Sequence, residues 1–338
     1  MMTRLPRRAA LLAAGLLAAP AARAQALAPT QGQAQAGGFA PTHPIRVIVP
    51  YPPGGVTDLV GRVVADGCRD REGWPAVVEN KPGASGQIGM AEAKRARPDG
   101  ETLLIGGFGS HVLPPAVTPN YPFDIPRDFT PVARLAEFVN VLVVNPASPW
   151  HSVSELVAAA KARPGELNFG SSGTGASNHM TAELFALETG TRLTHIPGQG
   201  ANTSIVSLRA GDIQLIFENM PAVLGQIRDG ALRALAVTSA YRSRALPEVP
   251  TLAESGWPGI DVSSWIALYG PPGLPAPLRD TLAAAAVRAV ETEPGRERLE
   301  RVGFEIRPLR GDAFTAFQNA QLARWRDVVA RAGVRPAG

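Results

Sequence analysis

Two stretches of the chain carry residue types suited to holding a ligand without reacting with it. The first, Pro50-Tyr51-Pro52-Pro53-Gly54-Gly55-Val56-Thr57-Asp58, follows an apolar run containing Ile45, Val47 and Val49. Its prolines and glycines permit neither strand nor helix to continue. Thr57 and Asp58 are N-cap types, and Leu59, Val60, Val63 and Val64 follow at helical spacing. The second, Gly170-Ser171-Ser172-Gly173-Thr174-Gly175-Ala176-Ser177, follows the short strand Leu167–Phe169 and leads into a helix carrying Met180, Leu184 and Leu187. Each reads as a strand, a glycine-opened loop and a helix N-terminus. Unpaired backbone N–H groups beside a positive helix end favour an anion. Neither stretch contains Lys or Arg. Together they suit a ligand with two separated acidic groups, held by N–H and hydroxyl donors. The plain alternative is an ordinary βα turn of an α/β domain.

Bond-making chemistry has less support. Ser171 and Ser172 sit in a brief likeness of a nucleophile elbow, but neither completes a G-x-S-x-G frame. His179 and His195 would act as bases only if folding brought them to a serine. The runs Gly173–Asn178 and Gly107–Gly109 fail G-x-G-x-x-G at the third glycine, and no Walker lysine follows a glycine loop. His43, His111, His151, His179 and His195 show no H-x-x-x-H spacing, so zinc chemistry has no basis. No cofactor and no catalytic residue is expected, and an exported serine esterase stands as the alternative.

The compartment is read from the first residues. Arg4, Arg7 and Arg8 precede the apolar run Ala9–Ala19, and Ala22-Arg23-Ala24 is a small-residue end. This is the pattern of a secretory signal peptide, with cleavage expected after Ala24 and a periplasmic destination. The apolar run is short for a membrane span. Residues 25–43 read as a disordered lead-in. Residues 1–24 hold four arginines and no acid, so the remaining 29 bases meet 29 acids. The formal +4 is therefore no argument for nucleic-acid binding. Cys68 is the single cysteine, which excludes an intramolecular disulfide.

The elements that must position the loops alternate between strand and helix patterns, an α/β arrangement with a mostly parallel, doubly wound sheet. Thr102–Ile105 is a strand running into Gly106-Gly107-Phe108-Gly109-Ser110-His111. Leu113–Pro131 reads as an irregular, proline-rich excursion. Val139–Val144 is an apolar strand, and Ser152-Val153-Ser154-Glu155 is a capping box opening a helix to Ala162. Further strands are expected at Ile213–Phe217, Leu232–Thr238 and Trp265–Tyr269, with Glu305–Arg307 as a short candidate. Helices are expected over Pro277–Thr292 and from Asp312 onward.

The opening stretch closely resembles the start of the mature chain in Bug-type extracytoplasmic solute receptors, the substrate-binding proteins of tripartite tricarboxylate transporters. The likeness continues through Val78–Gly89 (V-E-N-K-P-G-A-S-G-Q-I-G), Pro98–Leu103 (P-D-G-E-T-L) and Asp128–Val132 (D-F-T-P-V). It returns at Leu167–Gly173 (L-N-F-G-S-S-G), Leu232–Thr238 and Leu246–Thr251. It covers nearly all of the chain after the first forty residues, and the order and number of segments make it specific.

The resemblance implies a two-lobe type II periplasmic-binding-protein fold with two interlobe crossovers, at Val139–Val144 and Leu232–Thr238. Lobe 1 would hold 44–140 and 245–338, lobe 2 would hold 145–235, and the ligand cleft would lie between them. It implies a small carboxylate, often a dicarboxylate, gripped by the two loops. Tyr51, Gly54, Gly55, Val56, Thr57 and Asp58 would form the first wall, with Asp58 capping or orienting its loop rather than touching an anion. Ser171, Ser172, Gly173, Thr174, Ser177 and His179 would form the second. The Gly107–His111 and Glu218–Pro221 segments would add further walls. There Phe108 reads as a lid or as core, Ser110 as a wall residue, and Asn219 as a ligand donor or a turn residue. His195 reads as a cleft residue or as a hydrogen-bonded histidine at a strand end. After His195-Ile196-Pro197 the family pattern leads one to expect an aromatic residue and a lysine, where this chain has Gly198-Gln199. Partners implied are the carboxylate and either the permease subunits of a tripartite tricarboxylate-type transporter or a sensor protein. No nucleic acid is implied, and a monomer is expected.

Overall fold

The computed structural model describes residues 38–334. The leader expected at 1–24, with its cleavage site, lies outside the described residues. No helix among the described residues is long and apolar enough to cross a membrane.

The chain begins with β1 (Ile45–Val49), α1 (Val56–Glu72), β2 (Ala76–Asn80), α2 (Gln87–Lys94) and β3 (Thr102–Gly107). A π-helical turn over Phe108–Val112, α3 (Leu113–Val117) and α4 (Ile125–Asp128) lead to β4 (Thr130–Val144). The middle is α5 (Val153–Ala162), β5 (Asn168–Ser171), α6 (Ser177–Thr189), β6 (Thr194–Pro197), α7 (Ala201–Ala210), β7 (Leu215–Asn219), α8 (Met220–Arg228) and β8 (Arg233–Val237). The end is β9 (Ser263–Gly270), α9 (Ala276–Glu291), α10 (Gly295–Glu300), β10 (Leu309–Arg310) and α11 (Gly311–Ala332).

The strands run β2-β1-β3-β9-β4-β7-β5-β6, with β8 and β10 also paired to β4. The β1/β2, β1/β3, β5/β6 and β5/β7 pairs are parallel. All pairings of β4 and β9 are antiparallel. The sheet is thus mixed rather than mostly parallel. Each lobe is a parallel βαβ set closed by antiparallel strands at the centre.

β4 joins the lobes. Its residues 130–139 pair with β9 and its residues 140–144 pair with β7. One continuous strand therefore serves both sheets. The second passage between lobes runs from β8 to β9. Leu246 and Val249 still pack with Ile205, Ile216 and Met220 of the second lobe. The chain re-enters the first sheet at Ser263, opposite Val139 of β4.

Apolar alternation sorts the core. Ile45, Val47 and Val49 face α1 and α9, together with Val60, Val64, Ala286 and Val290. On the other face Ile48 and Leu104 join Met90, Phe108 and Trp325 of α11, and this cluster continues to Phe169 and Phe217 beneath the second sheet. Gly67 is where α1 meets α9, since a Cβ there would fall on Ala289.

Two local expectations differ. The lead-in is ordered from Phe39, whose ring stands edge-on to Trp74 at 5.0 Å. Glu101 accepts bonds from the Thr42 amide at 2.6 Å and the His43 amide at 3.0 Å, which fixes this stretch against the first lobe. The strand expected at Glu305–Arg307 is only a bridge from Glu305 to Glu137, with β10 following at Leu309.

Candidate functional site

The first loop is held from below by Asp58. Its carboxylate accepts from the Gly54 amide at 2.9 Å, Asn80 Nδ2 at 3.0 Å, and Arg62 Nε and Nη2 at 2.8 and 3.1 Å. Asn80 Nδ2 also donates to the Tyr51 carbonyl at 3.1 Å. Burial alone would raise the Asp58 pKa, but the Arg62, Gly54 and Asn80 donors outweigh it and hold the carboxyl below its usual range. Asp58 is 3% exposed and turned into this network, not into the cleft. Gly54 adopts φ +87°, a conformation that favours glycine. Gly55 is the N-cap of α1 and supplies no side-chain cap. The first amides of α1 therefore lack internal partners, and Gly55, Val56 and Thr57 line the cleft.

The β3 terminus forms the adjoining wall. A Cβ at Gly107 would land on the Trp265 carbonyl, so only glycine lets β3 and β9 approach this closely. Gly106, Gly107, Gly109 and Ser110 line the cleft. Ser110 Oγ accepts from the Gly107 amide at 3.1 Å and lies 2.8 Å from His111 Nδ1. His111 is fully buried and stacked on Tyr269 at 3.9 Å, and desolvation drives its pKa down to about 3. Tyr51 donates to the Gly109 carbonyl at 3.3 Å, and desolvation pushes its hydroxyl up to about 12. Phe108 is a core side chain, edge-on to Trp325 at 5.2 Å, and leaves the wall to its glycine neighbours.

In the second lobe, much of the glycine loop is scaffold. Ser171 is fully buried. Its Oγ lies 2.6 Å from His195 Nε2 and accepts from the Gly173 amide at 3.1 Å. The His195 ring stacks on His179 at 3.9 Å. Desolvation first, and His179 second, lower the His195 pKa to about 4. His179 Nδ1 accepts from the Gly175 amide at 3.0 Å. Asn178 Oδ1 accepts from the Ser172 and His179 amides at 3.1 and 3.0 Å. Its Nδ2 donates to Ser172 Oγ at 2.8 Å and Glu218 Oε2 at 2.9 Å. Thr174 is exposed at the loop tip. Of the six residues placed here by resemblance, Ser177 lines the cleft, while Ser171, Ser172, Gly173, Thr174 and His179 do not. Ser177 Oγ donates to Asn219 Oδ1 at 3.3 Å, and Asn219 also lines it.

The cleft between these walls has a volume of about 740 Å³, within the range of small-molecule sites. Four helix N-termini open onto it: Val56 and Thr57 of α1, Ser177 of α6, Gly200 and Asn202 of α7, and Asn219 of α8. Its lining contains no Lys, Arg, His, Asp or Glu. Pro52, Pro53, Phe138 and Ile266 supply apolar surface, and Ser264 and Trp265 of β9 complete the floor. Positive backbone dipoles around an uncharged, partly apolar cavity can hold an anion with an apolar body. Among the described residues no group of three or more His, Cys, Asp and Glu is placed to hold a metal ion.

The floor residues escaped sequence reasoning. Ile266 sits within the strand expected at Trp265–Tyr269, and Phe138 and Ser264 each fall one residue before an expected strand. Gly200-Ala201-Asn202 carries the signal used for the other loops, a glycine followed by a helix start, at the N-terminal end of α7. Gly198 has a local reason: a Cβ there would meet the Ser171 carbonyl at 2.6 Å.

The chain is similar in sequence and fold to known proteins. The family model described as "Tripartite tricarboxylate transporter family receptor" matches residues 60–334. Protein BugT of Bordetella pertussis is 36% identical over 296 residues, covering 87% of this chain and 91% of BugT. A protein of R. palustris solved with adipate has a TM-score of 0.77 at 32% identity, covering 88% of this chain and 99% of that one. MatC from Rhodopseudomonas palustris, solved with bound malate, has a TM-score of 0.73 at 29% identity, covering 86% and 100%.

Proposed function

The chain belongs to the tripartite tricarboxylate transporter receptor family, and from that membership we propose that it closes its two lobes on a small organic carboxylate for delivery to the permease of such a transporter. It is a two-lobe periplasmic solute receptor of the Bug type and not an enzyme.

The observation that carries the carboxylate reading is the convergence of the N-termini of α1, α6, α7 and α8 on a cleft lined by no charged side chain. An anion desolvated there meets backbone donors from both lobes. Each helix end favours it by about 0.3–1 kcal/mol when exposed and up to about 2 when partly buried. Charge-assisted hydrogen bonds add about 1.5–3 kcal/mol each. Because the donors come from different lobes, the closed arrangement makes contacts that the open one lacks, and ligand shifts the population toward closure. A permease that reads the closed shape would then distinguish loaded from empty receptor. The adipate and malate bound by two relatives fit this class of ligand.

Thermal-shift screening and calorimetry against dicarboxylates, tricarboxylates, amino acids and aromatic acids test the reading. Stabilisation by acids alone is expected. A best ligand that is neutral or cationic would overturn it. Uptake of the identified acid in cells lacking this receptor gene tests the permease partnership, with loss of uptake expected and a lost transcriptional response alone favouring a sensor role.

A further inference from the structure

We infer that Ser264 is a specificity-determining contact in the cleft floor, its hydroxyl donating to a second oxygen-bearing end of the bound carboxylate. This rests on the carboxylate reading above and concerns the end of the ligand that a single helix terminus would not read.

Ser264 lies on β9 opposite Phe138 of β4, at the centre of the molecule, where the strands of both lobes meet. It is 4% exposed, and its Oγ has no hydrogen-bond partner. Buried hydroxyls almost always find one, and an orphan carries an uncompensated desolvation penalty. The hydroxyl is not replacing anything structural: its neighbours on this part of the floor, Phe138 and Ile266, are apolar. A valine or alanine would suit that surrounding better. Trp265, which also lines the floor, packs its ring edge-on to Phe314 and Phe317, and its Nε1 is likewise without a partner. Ser264 is the hydroxyl that the first sheet offers to the floor. A position that breaks a local packing rule without local compensation is where function is expected. The hydroxyl is satisfied if ligand oxygen reaches it, and stays unsatisfied when the cleft is empty.

Two signatures follow, of opposite sign. Without ligand, Ser264→Ala loses an unpaired polar atom and no hydrogen bond, so its thermal midpoint equals or exceeds that of the wild type. With ligand, a charge-assisted hydrogen bond is lost, which weakens binding by about tenfold or more. The probes are straight-chain diacids from succinate to suberate, each beside the monoacid of the same length. For the tightest diacid, Ser264→Ala and the near-isosteric Ser264→Cys both weaken binding by about tenfold or more, while affinity for the matched monoacid changes by less than about twofold. Equal loss for diacid and monoacid, no loss for either, or a lowered midpoint of both ligand-free variants would overturn the inference. Wild-type protein that binds none of these acids would overturn the Ser264 contact, and one that binds no acid of the wider screen would remove the carboxylate reading as well.

Discussion

Replacing Asp58 by Asn tests how the first loop is held. Each carboxylate oxygen accepts two bonds, Oδ1 from Asn80 and Arg62, Oδ2 from Gly54 and Arg62. In Asp58→Asn one of these positions becomes an NH₂ group facing donors. Arg62 is half-exposed and its share is screened, so the loss is chiefly one charge-assisted bond to a buried donor. That amounts to about 2 kcal/mol at pH 7. The sign with pH follows from the depressed pKa of the native carboxyl. Its stabilisation is fully present above the unfolded value of about 3.9 and is lost as pH falls through the lower folded value. The gap between wild type and variant should thus hold from pH 7 down to about 5 and narrow below about 4. Urea unfolding of both proteins at pH 7, 5 and 3 measures it. The variant should also bind more weakly, because Gly54 loses the contact that fixes its positive φ. A gap below about 0.5 kcal/mol at pH 7, or one that stays constant down to pH 3, would refute the reasoning.

Gly107→Ala should lower stability and weaken ligand binding together, because the added methyl would fall on the Trp265 carbonyl and push β3 from β9 at the cleft floor; thermal unfolding beside calorimetry measures both. Binding of a diacid should vary by less than about twofold between pH 6 and 9, since no lining group titrates there, with Tyr51 pushed up to about 12; a titration series in that window checks it, and a step near pH 7 would count against the cleft as described. Ser171→Ala should lower stability by about 1–3 kcal/mol by leaving the Gly173 amide and His195 without their shared partner. Ester hydrolysis should stay at buffer background in both proteins, and a serine-dependent rate in the wild type would revive the esterase alternative.

Local patterns were readable where backbone chemistry decides the outcome. The helix start at Ser152 forms as read, with Ser152 Oγ accepting from the Glu155 amide at 3.2 Å, but the Glu155 carboxylate accepts from the His151 amide at 2.6 Å, so the reciprocal half of the box is missing. The two glycine loops end in helices α1 and α6, as their apolar spacing requires, but the N-caps are Gly55 and Ala176, neither with a side-chain cap, and Thr57 and Asp58 lie inside α1. What sequence could not separate was wall from scaffold. Ser171, Ser172 and His179 have the same residue types as a binding loop, yet their side-chain hydrogen bonds close on His195, Asn178 and Gly175. Side-chain direction at a loop depends on partners distant in sequence, and periodicity carries no such information. The antiparallel centre was hidden for a related reason. β4 reads as a strand only from Val139 because Arg134 and Glu137 interrupt its first half, and these pair with each other at 3.0 Å in a buried setting.

The placement of β9 has a consequence for the order in which the molecule can be made. β3 and β4 are neighbours in sequence, but β9 lies between them and is bonded to both, Leu104 to Tyr269 on one side and Ala136 to Ile266 on the other. As the chain emerges from synthesis, more than half of it must wait with two facing strand edges bare. Such edges invite pairing with other chains, and closing so long a loop slows folding. A fragment ending before Ser263 would therefore contain both glycine loops and still lack a floor. It should aggregate rather than bind, and β9 is the strand whose arrival turns two half-built lobes into a receptor.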